Sequence, residues 1–313
     1  MKTAEQKTDI QQIITNKQQK RFIYKSEKFV PIFLFLMATV SILTTVGIVL
    51  TLVFETFTFF SEVSFVEFLT EKKWYPFSDT EASYGIQSLI IGSLKITLIA
   101  AVTAIPIGLA VAIYLSEYAS NQIRKVVKPL LEVLAGIPTI VYGFFALTFV
   151  TPLLRSMFPS MEMFNAVSPG IVVGIMIIPM IVSLSEDALS SVPQAVRDGA
   201  LGLGATKWEM TWRVVFPAAL SGILASIVLA VSRAIGETMI VTIAGGSTPS
   251  NDWSLTNSLQ TMTSYIVQVS TGDAGFGTTI YYSIYAVGFT LFIFTLIMNI
   301  MAYMISKRFR EEY

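Results

Sequence analysis

Six stretches of this chain are too long and too apolar to be surface elements of a water-soluble protein. A helix that crosses a bilayer needs about 20 mostly apolar residues, each rising about 1.5 Å through a hydrocarbon core of about 30 Å. The stretches run from about Val30 to Phe54, Ser88 to Leu115, Leu130 to Leu154, Pro169 to Leu184, Pro217 to Ala244 and Thr279 to Ser306, the fourth being short. None alternates with period two between turn signals, as barrel strands do, so the spans are read as helices. The expected fold is an all-α integral membrane protein of about six transmembrane helices. Charged residues make up only 13% of the chain and gather between the stretches, where a soluble domain carries about a quarter. The first stretch follows a polar arm, residues 1–28, and exceeds the apolar core of a signal peptide, so it is read as a retained span.

Lys and Arg resist translocation and mark the cytoplasmic side. The arm carries Lys2, Lys7, Lys17, Lys20, Arg21, Lys25 and Lys28. Arg124, Lys125 and Lys128 follow the second stretch; Arg197, Lys207 and Arg213 follow the fourth; Lys307, Arg308 and Arg310 end the chain. The alternate loops hold only Lys72, Lys73 and Arg155, and residues 245–278 hold none. Both termini are therefore expected in the cytoplasm. The organisation read from this is a cytoplasmic arm at 1–28, a transmembrane domain at 29–306 and a cytoplasmic tail at 307–313. The chain has no Cys and no His, which removes thiolate chemistry, the commonest metal ligand and the commonest general base. Catalysis and a metal site are not expected.

Pro106, Pro138 and Pro179, with Gly108, Gly136, Gly143 and Gly174, punctuate the spans. They serve close helix packing, or hinges.

The cytoplasmic loop at 185–216 is unlike the others. Pro193 suits the first turn of a helix, after which Val196, Ala200 and Leu203 fall on one face. Gly202 and Gly204 loosen the chain; Thr206 and Glu209 then have capping-box spacing, which predicts a second helix from Lys207. Trp208, Thr211, Trp212 and Val215 form its apolar side. Two such helices suit a groove on a soluble partner, and equally suit the membrane surface.

This segment resembles the EAA loop of ABC-importer permeases, of the form E-A-A, three residues, G, nine residues, I-x-L-P. Asp198-Gly199-Ala200 stand at E-A-A, Gly204 at the glycine, and Val214, Phe216 and Pro217 at I, L and P. The resemblance implies a type I importer permease whose loop is a coupling helix seated in a cleft of an ATPase, with Asp198, Gly199, Ala200, Gly204, Trp208 and Glu209 as coupling residues. No Gly in the chain precedes Lys, so a phosphate-cradling G-x-x-x-x-G-K-[ST] loop is absent. ATP and Mg are expected on a separate ATPase, with no cofactor on this chain.

Arg233 and Glu237 lie deep in the fifth stretch, four residues apart, so on a helix they share a face. A charge at mid-bilayer costs at least about 2.5–3.5 kcal/mol, so such groups line a pathway or pair internally. Arg suits an oxyanion because its planar fork donates two parallel hydrogen bonds. Glu237 would hold Arg233 in place, or accept from a protonated oxygen of the anion. Lys95, near the outer end of its stretch, is expected to snorkel to the interface and stays outside the site.

The run Arg233-Ala234-Ile235-Gly236-Glu237-Thr238, continued by Met239-Ile240-Val241-Thr242, resembles the C-type (PstC-type) permease subunits of bacterial phosphate ABC importers. FFSEVSFVEFLTEKKWYPF, AIYLSEYAS and EVLAGIPTIVYGFFAL resemble them too, so the likeness covers nearly everything from Phe29 onward. It implies Arg233 and Glu237 as substrate-pathway residues in a heterodimer with a PstA-type subunit in the inner membrane. It also implies a dimer of PstB-type ATPase and a PstS-type extracytoplasmic binding protein. The outer loop at 55–85, with Glu55, Glu62, Glu67, Glu71, Asp79, Glu81, Trp74 and Tyr75, is expected as a solvated loop on the membrane surface, or as the contact for that binding protein. The alternatives are a permease for sulfate or molybdate, which the Arg–Glu pair argues against, and a channel or carrier that needs no ATPase. No nucleic-acid partner is expected.

Overall fold

The computed structural model describes residues 29–78, 82–272 and 274–308. The polar arm, Asp79, Glu81 and most of the expected tail lie outside the described residues. The chain divides into two units after Phe54. The first holds most of helix α1 (Phe29–Glu62), longer at its outer end than the expected span. Pro31 falls in its first turn, where its missing N–H breaks no bond. Thr39, Thr44, Thr45 and Thr51 donate to carbonyls four residues back, so these four hydroxyls are satisfied within the helix.

The second unit opens on the end of α1 and the outer loop. The short helix α2 (Phe65–Thr70) precedes strands β1 (Trp74–Tyr75) and β2 (Ser83–Tyr84), paired antiparallel with Trp74 opposite Tyr84. Expected as a solvated loop, this segment instead builds a core of its own. Phe59, Phe68, Trp74 and Tyr84 are buried with Tyr265, and Trp74 meets Tyr265 edge to face at 4.8 Å. Aromatic edges and faces carry opposite partial charge, which favours that arrangement.

Helix α3 (Gln87–Ile113) continues through a π turn, Tyr114–Tyr118. It crosses α7 (Val167–Ser190), and these two make the most extensive helix contact in the chain. Glycines set that crossing: a Cβ at Gly108 would stand 2.7 Å from Ile181, and one at Gly174 would collide with Thr103 Oγ1. Pro106 and Pro179 sit inside these helices without ending them; close packing, rather than a break, is what the expected punctuation produces here.

The third span departs from expectation. Residues 130–136 belong to a separate amphipathic helix, α4 (Asn121–Gly136), which buries none of its residues. Ile137 precedes Pro138 and is extended, because the proline ring clashes with a helical predecessor. The crossing segment is α5 (Thr139–Phe145), a π turn at Ala146–Val150 and α6 (Thr151–Met157).

Helices α8 (Gln194–Gly202) and α9 (Lys207–Met210) form the cytoplasmic loop, and α9 runs through a π turn, Thr211–Val215, into α10 (Phe216–Ala218). Pro193 precedes α8 as its N-cap. Gly204 adopts φ +88°, the left-handed turn that ends α8. The expected capping box is present: Glu209 N–H donates to Thr206 Oγ1 at 3.2 Å, and Thr206 N–H donates to Glu209 at 3.0 Å. The expected apolar faces split. Val196 and Ala200 pack inward with Met210 and Val215 on the ends of α3 and α7, and Thr211 is buried. Leu203 lies beyond the last helical residue and is 92% exposed, while Trp208 and Trp212 lie outside with ring centroids 5.4 Å apart and planes tilted by 57°.

The fifth span is broken rather than continuous. The chain bends by 69° into α11 (Leu220–Ile235), stops at Gly236 and resumes as α12 (Met239–Ala244). The outer helix α13 (Met262–Thr271) and the last span, α14 (Thr279–Arg308), complete the unit. Among the described residues, five helices are long and apolar enough to cross a membrane, and Lys207–Ala218 with Leu220–Ile235, counted as one bent span, makes a sixth.

Candidate functional site

Arg233 occupies the last turn of α11, and Glu237 lies just past its end, two residues before α12 begins. The two meet as the i,i+4 spacing suggested, but across a helix break. Arg233 Nη1 donates to Glu237 Oε2 at 2.9 Å. Glu237 Oε1 accepts from the backbone N–H groups of Met239 and Ile240 at 3.1 and 3.3 Å, so its carboxylate caps α12. Each charge therefore sits at the helix end that favours it: the cation at the negative carboxyl end of α11, the anion at the positive amino end of α12. Thr263 on α13 donates to the Glu237 carbonyl at 2.7 Å and pins the break from outside.

The pair is unequal in exposure. The Glu237 side chain is 2% exposed and the Arg233 side chain 43%. Both Glu237 oxygens are engaged, whereas the guanidinium reaches a cavity of about 510 Å³. Lys128 of α4 and Glu186 of α7 line the same cavity as a second ion pair, at 2.5 Å, with Glu132 nearby in the wall. Among the described residues no group of three or more His, Cys, Asp or Glu is placed to hold a metal.

Three further contacts were not visible in the chain's pattern. Lys95 does not snorkel: it is buried, with Nζ donating to the Ser254 carbonyl at 3.1 Å and 3.6 Å from Asp252. The outer segment before α13 folds over it, which local sequence could not reveal. Glu117, in the π turn after α3, pairs with Arg197 of α8 at 3.0 Å, and Arg197 also donates to the Leu189 carbonyl at 2.8 Å and to that of Val192. Lys128 with Glu186 is the third.

Four of the six residues singled out on the cytoplasmic loop, Asp198, Gly199, Gly204 and Trp208, are exposed. Asp198 is exposed and accepts from Gln194 at 3.0 Å; the space over Gly199 is open; Gly204 forms the elbow; Trp208 is exposed. Ala200 turns inward to the core, and Glu209 is spent on the cap. Bonds from the Thr206 N–H and hydroxyl, helped by Arg213, hold the Glu209 carboxyl below the ordinary range despite a small opposing effect of burial.

Residues 104–311 match the profile of the family described as binding-protein-dependent transport system inner membrane component. Over 260 residues the chain is 34% identical to the phosphate transport system permease protein PstC of Mesorhizobium japonicum, covering 77% of this chain and 78% of that one. It is 33% identical over 249 residues to the probable ABC transporter permease protein YqgH of Bacillus subtilis, covering 79% of each. Two solved structures share the fold at low identity. A bacterial alginate ABC transporter in complex with an alginate pentasaccharide-bound periplasmic protein aligns with TM-score 0.61 at 15% identity, over 88% of this chain and 94% of that one. The MetNI methionine ABC transporter in an inward-facing conformation aligns with TM-score 0.56 at 16% identity, over 72% and 98%. A discontinuous fifth span bearing an Arg–Glu pair, a cytoplasmic two-helix loop docked on the span ends and this likeness over most of the chain lead to one conclusion: the chain belongs to the inner-membrane permease components of binding-protein-dependent ABC importers, and within them to the PstC type.

Proposed function

We propose that this permease imports phosphate, with ATP hydrolysed on a separate subunit and Arg233 as the membrane-embedded contact for the passing anion. The observation that carries this reading is the asymmetry of the Arg233–Glu237 pair, 43% against 2% exposed. A pair serving only to neutralise itself would be buried as a unit. Here the carboxylate is consumed by the backbone of α12 and by one Arg233 nitrogen, and the guanidinium is left facing the cavity. Glu237 thus positions Arg233 and caps α12; Nη1 is held by Glu237 and Nη2 meets the Met176 sulfur at 3.9 Å, a weak acceptor that an oxygen of a tetrahedral anion would replace. Phosphate is the choice among oxyanions because relatives 33–34% identical to this chain, over 71–77% of it, are phosphate transport system permease proteins.

In the mechanism, a PstS-type binding protein delivers phosphate to the outer mouth of a heterodimer of this chain and a PstA-type subunit. ATP closes a PstB-type ATPase dimer in the cytoplasm, with both termini of this chain on that side. The exposed face formed by Asp198, Gly199, Leu203 and Trp208 takes up that motion. The inner face of the loop, Val196, Ala200, Met210 and Val215, is packed on the ends of α3 and α7, so the motion reaches the spans through a solid contact. Such coupling requires that binding energy differ between outward and inward states.

The test is uptake into proteoliposomes holding the whole complex, with internal ATP, external binding protein, and labelled phosphate or sulfate. Accumulation of phosphate but not sulfate, dependent on ATP, is the expected result. Accumulation of sulfate instead would reassign the substrate, and uptake without ATP would refute the importer reading.

A further inference from the structure

The cavity reached by Arg233 holds a second cation built to the same plan. Lys128 Nζ lies 2.5 Å from Glu186, the lysine side chain 45% exposed and the glutamate 4%. These nearly repeat the 43% and 2% of Arg233 and Glu237. In both pairs the carboxylate is buried while the cation reaches one shared volume; Glu186 lies in the wall of that volume, and Glu237 stands behind it. The chain places the second pair nearer the cytoplasm: Glu186 lies in the last turns of α7, and Lys128 on the amphipathic helix that precedes the third span. Glu132, exposed on the same helix, is the remaining charged group in the lining.

We infer that Lys128 is a second anion contact, on the exit side of Arg233, from which the phosphate leaves toward the cytoplasm. This rests on the proposed function and extends it. A lone cation facing the cavity would hold an anion too well; a carboxylate fixed beside it weakens the attraction through opposing Coulomb terms. Passage needs successive sites strong enough to admit the ion and weak enough to release it. Glu186 also explains the geometry locally, because a buried carboxylate is costly without a partner. That explanation alone predicts that removing both charges together is harmless, and this separates the two accounts.

The chain has no cysteine, so an introduced thiol on it can be modified selectively. In the complex carrying K128C and E186Q, the buried charge and its partner are both gone. We expect phosphate uptake at least about tenfold below the unaltered complex, the loss of one charge-assisted hydrogen bond to the anion. Treatment with 2-aminoethyl methanethiosulfonate, which restores an ammonium at that position, recovers uptake in the same preparation; the neutral methyl reagent does not. Equal uptake before and after aminoethylation overturns the inference. In the native background, K128R retains uptake and K128Q loses it, and equal uptake by these two overturns it as well. If the unaltered complex fails to accumulate phosphate, both this inference and the proposed function fall together.

Discussion

Removal of Glu117 should release the cytoplasmic loop from the spans without unfolding either. Glu117 and Arg197 are 4% and 11% exposed, close enough to solvent-free that water screens the pair poorly. Arg197 spans the junction: Nη2 bonds Glu117 at 3.0 Å, Nε approaches its other oxygen at 3.4 Å, and the Leu189 and Val192 carbonyls take further N–H groups. In Glu117→Ala the two carbonyls remain but the counter-charge does not. Leaving a buried charge unpaired costs about 3–5 kcal/mol, and the lower end applies beside the cytoplasmic surface. With α8 held otherwise by Val196 and Ala200, about 3 kcal/mol favours undocking by roughly a hundredfold. Amide hydrogen exchange of the complex reads this directly. Exchange across Gln194–Gly202 should rise by about that factor while α11 is unchanged, and uptake per ATP should fall. The paired replacement of Glu117→Leu with Arg197→Met should restore protection, since an apolar pair replaces a buried ion pair at little cost. Unchanged exchange in Glu117→Ala would refute the claim that this pair ties the loop to the spans.

Two other expectations follow from the geometry. Gly174→Val drives a side chain into Thr103 and the Ala100 carbonyl and should cost about 1–3 kcal/mol by overpacking, seen as a lower melting temperature of the purified complex; Gly136→Ala, where nothing lies within 4 Å, should melt as the parent does. The depressed Glu209 carboxyl means the α9 cap contributes fully above the ordinary glutamate range, about 4.3, and is lost as pH falls through the lower folded value. Amide exchange at Glu209 and Met210 should therefore quicken, beyond its intrinsic pH dependence, only below that range, and Glu209→Gln should show no such step.

Much of this architecture is legible from hydropathy and charge, because a bilayer enforces long apolar runs and basic inner loops. The failures have physical causes. Residues 130–136 extend an apolar run, and only Pro138 signals that the helix ends before the membrane segment begins. The apolar stripe drawn through Leu203 needs one more helical residue than exists, since the helix ends at Gly202 and turns away through Leu203 and Gly204. Trp208 and Trp212 lie on one stripe and Thr211 and Val215 on its neighbour, and the wider π turn at Thr211–Val215 lets only the second stripe enter the core. The Arg233–Glu237 pair was legible from spacing, but the break at Gly236 that orients it was not. Lys95 with Ser254 and Glu117 with Arg197 join residues 159 and 80 positions apart, a distance no local periodicity reports.

The central claim is that Arg233, held by Glu237, touches the anion in transit. Its most direct test is ATP-driven phosphate uptake by the reconstituted complex carrying Arg233→Gln, beside Arg233→Lys and the unaltered chain. Charge-assisted hydrogen bonds of about 1.5–3 kcal/mol correspond to a loss of roughly tenfold to a hundredfold in Arg233→Gln, with the complex still assembled and Arg233→Lys intermediate because a point charge replaces the fork. Uptake by Arg233→Gln equal to that of the unaltered complex would contradict the account and leave Arg233 a packing residue of the broken span.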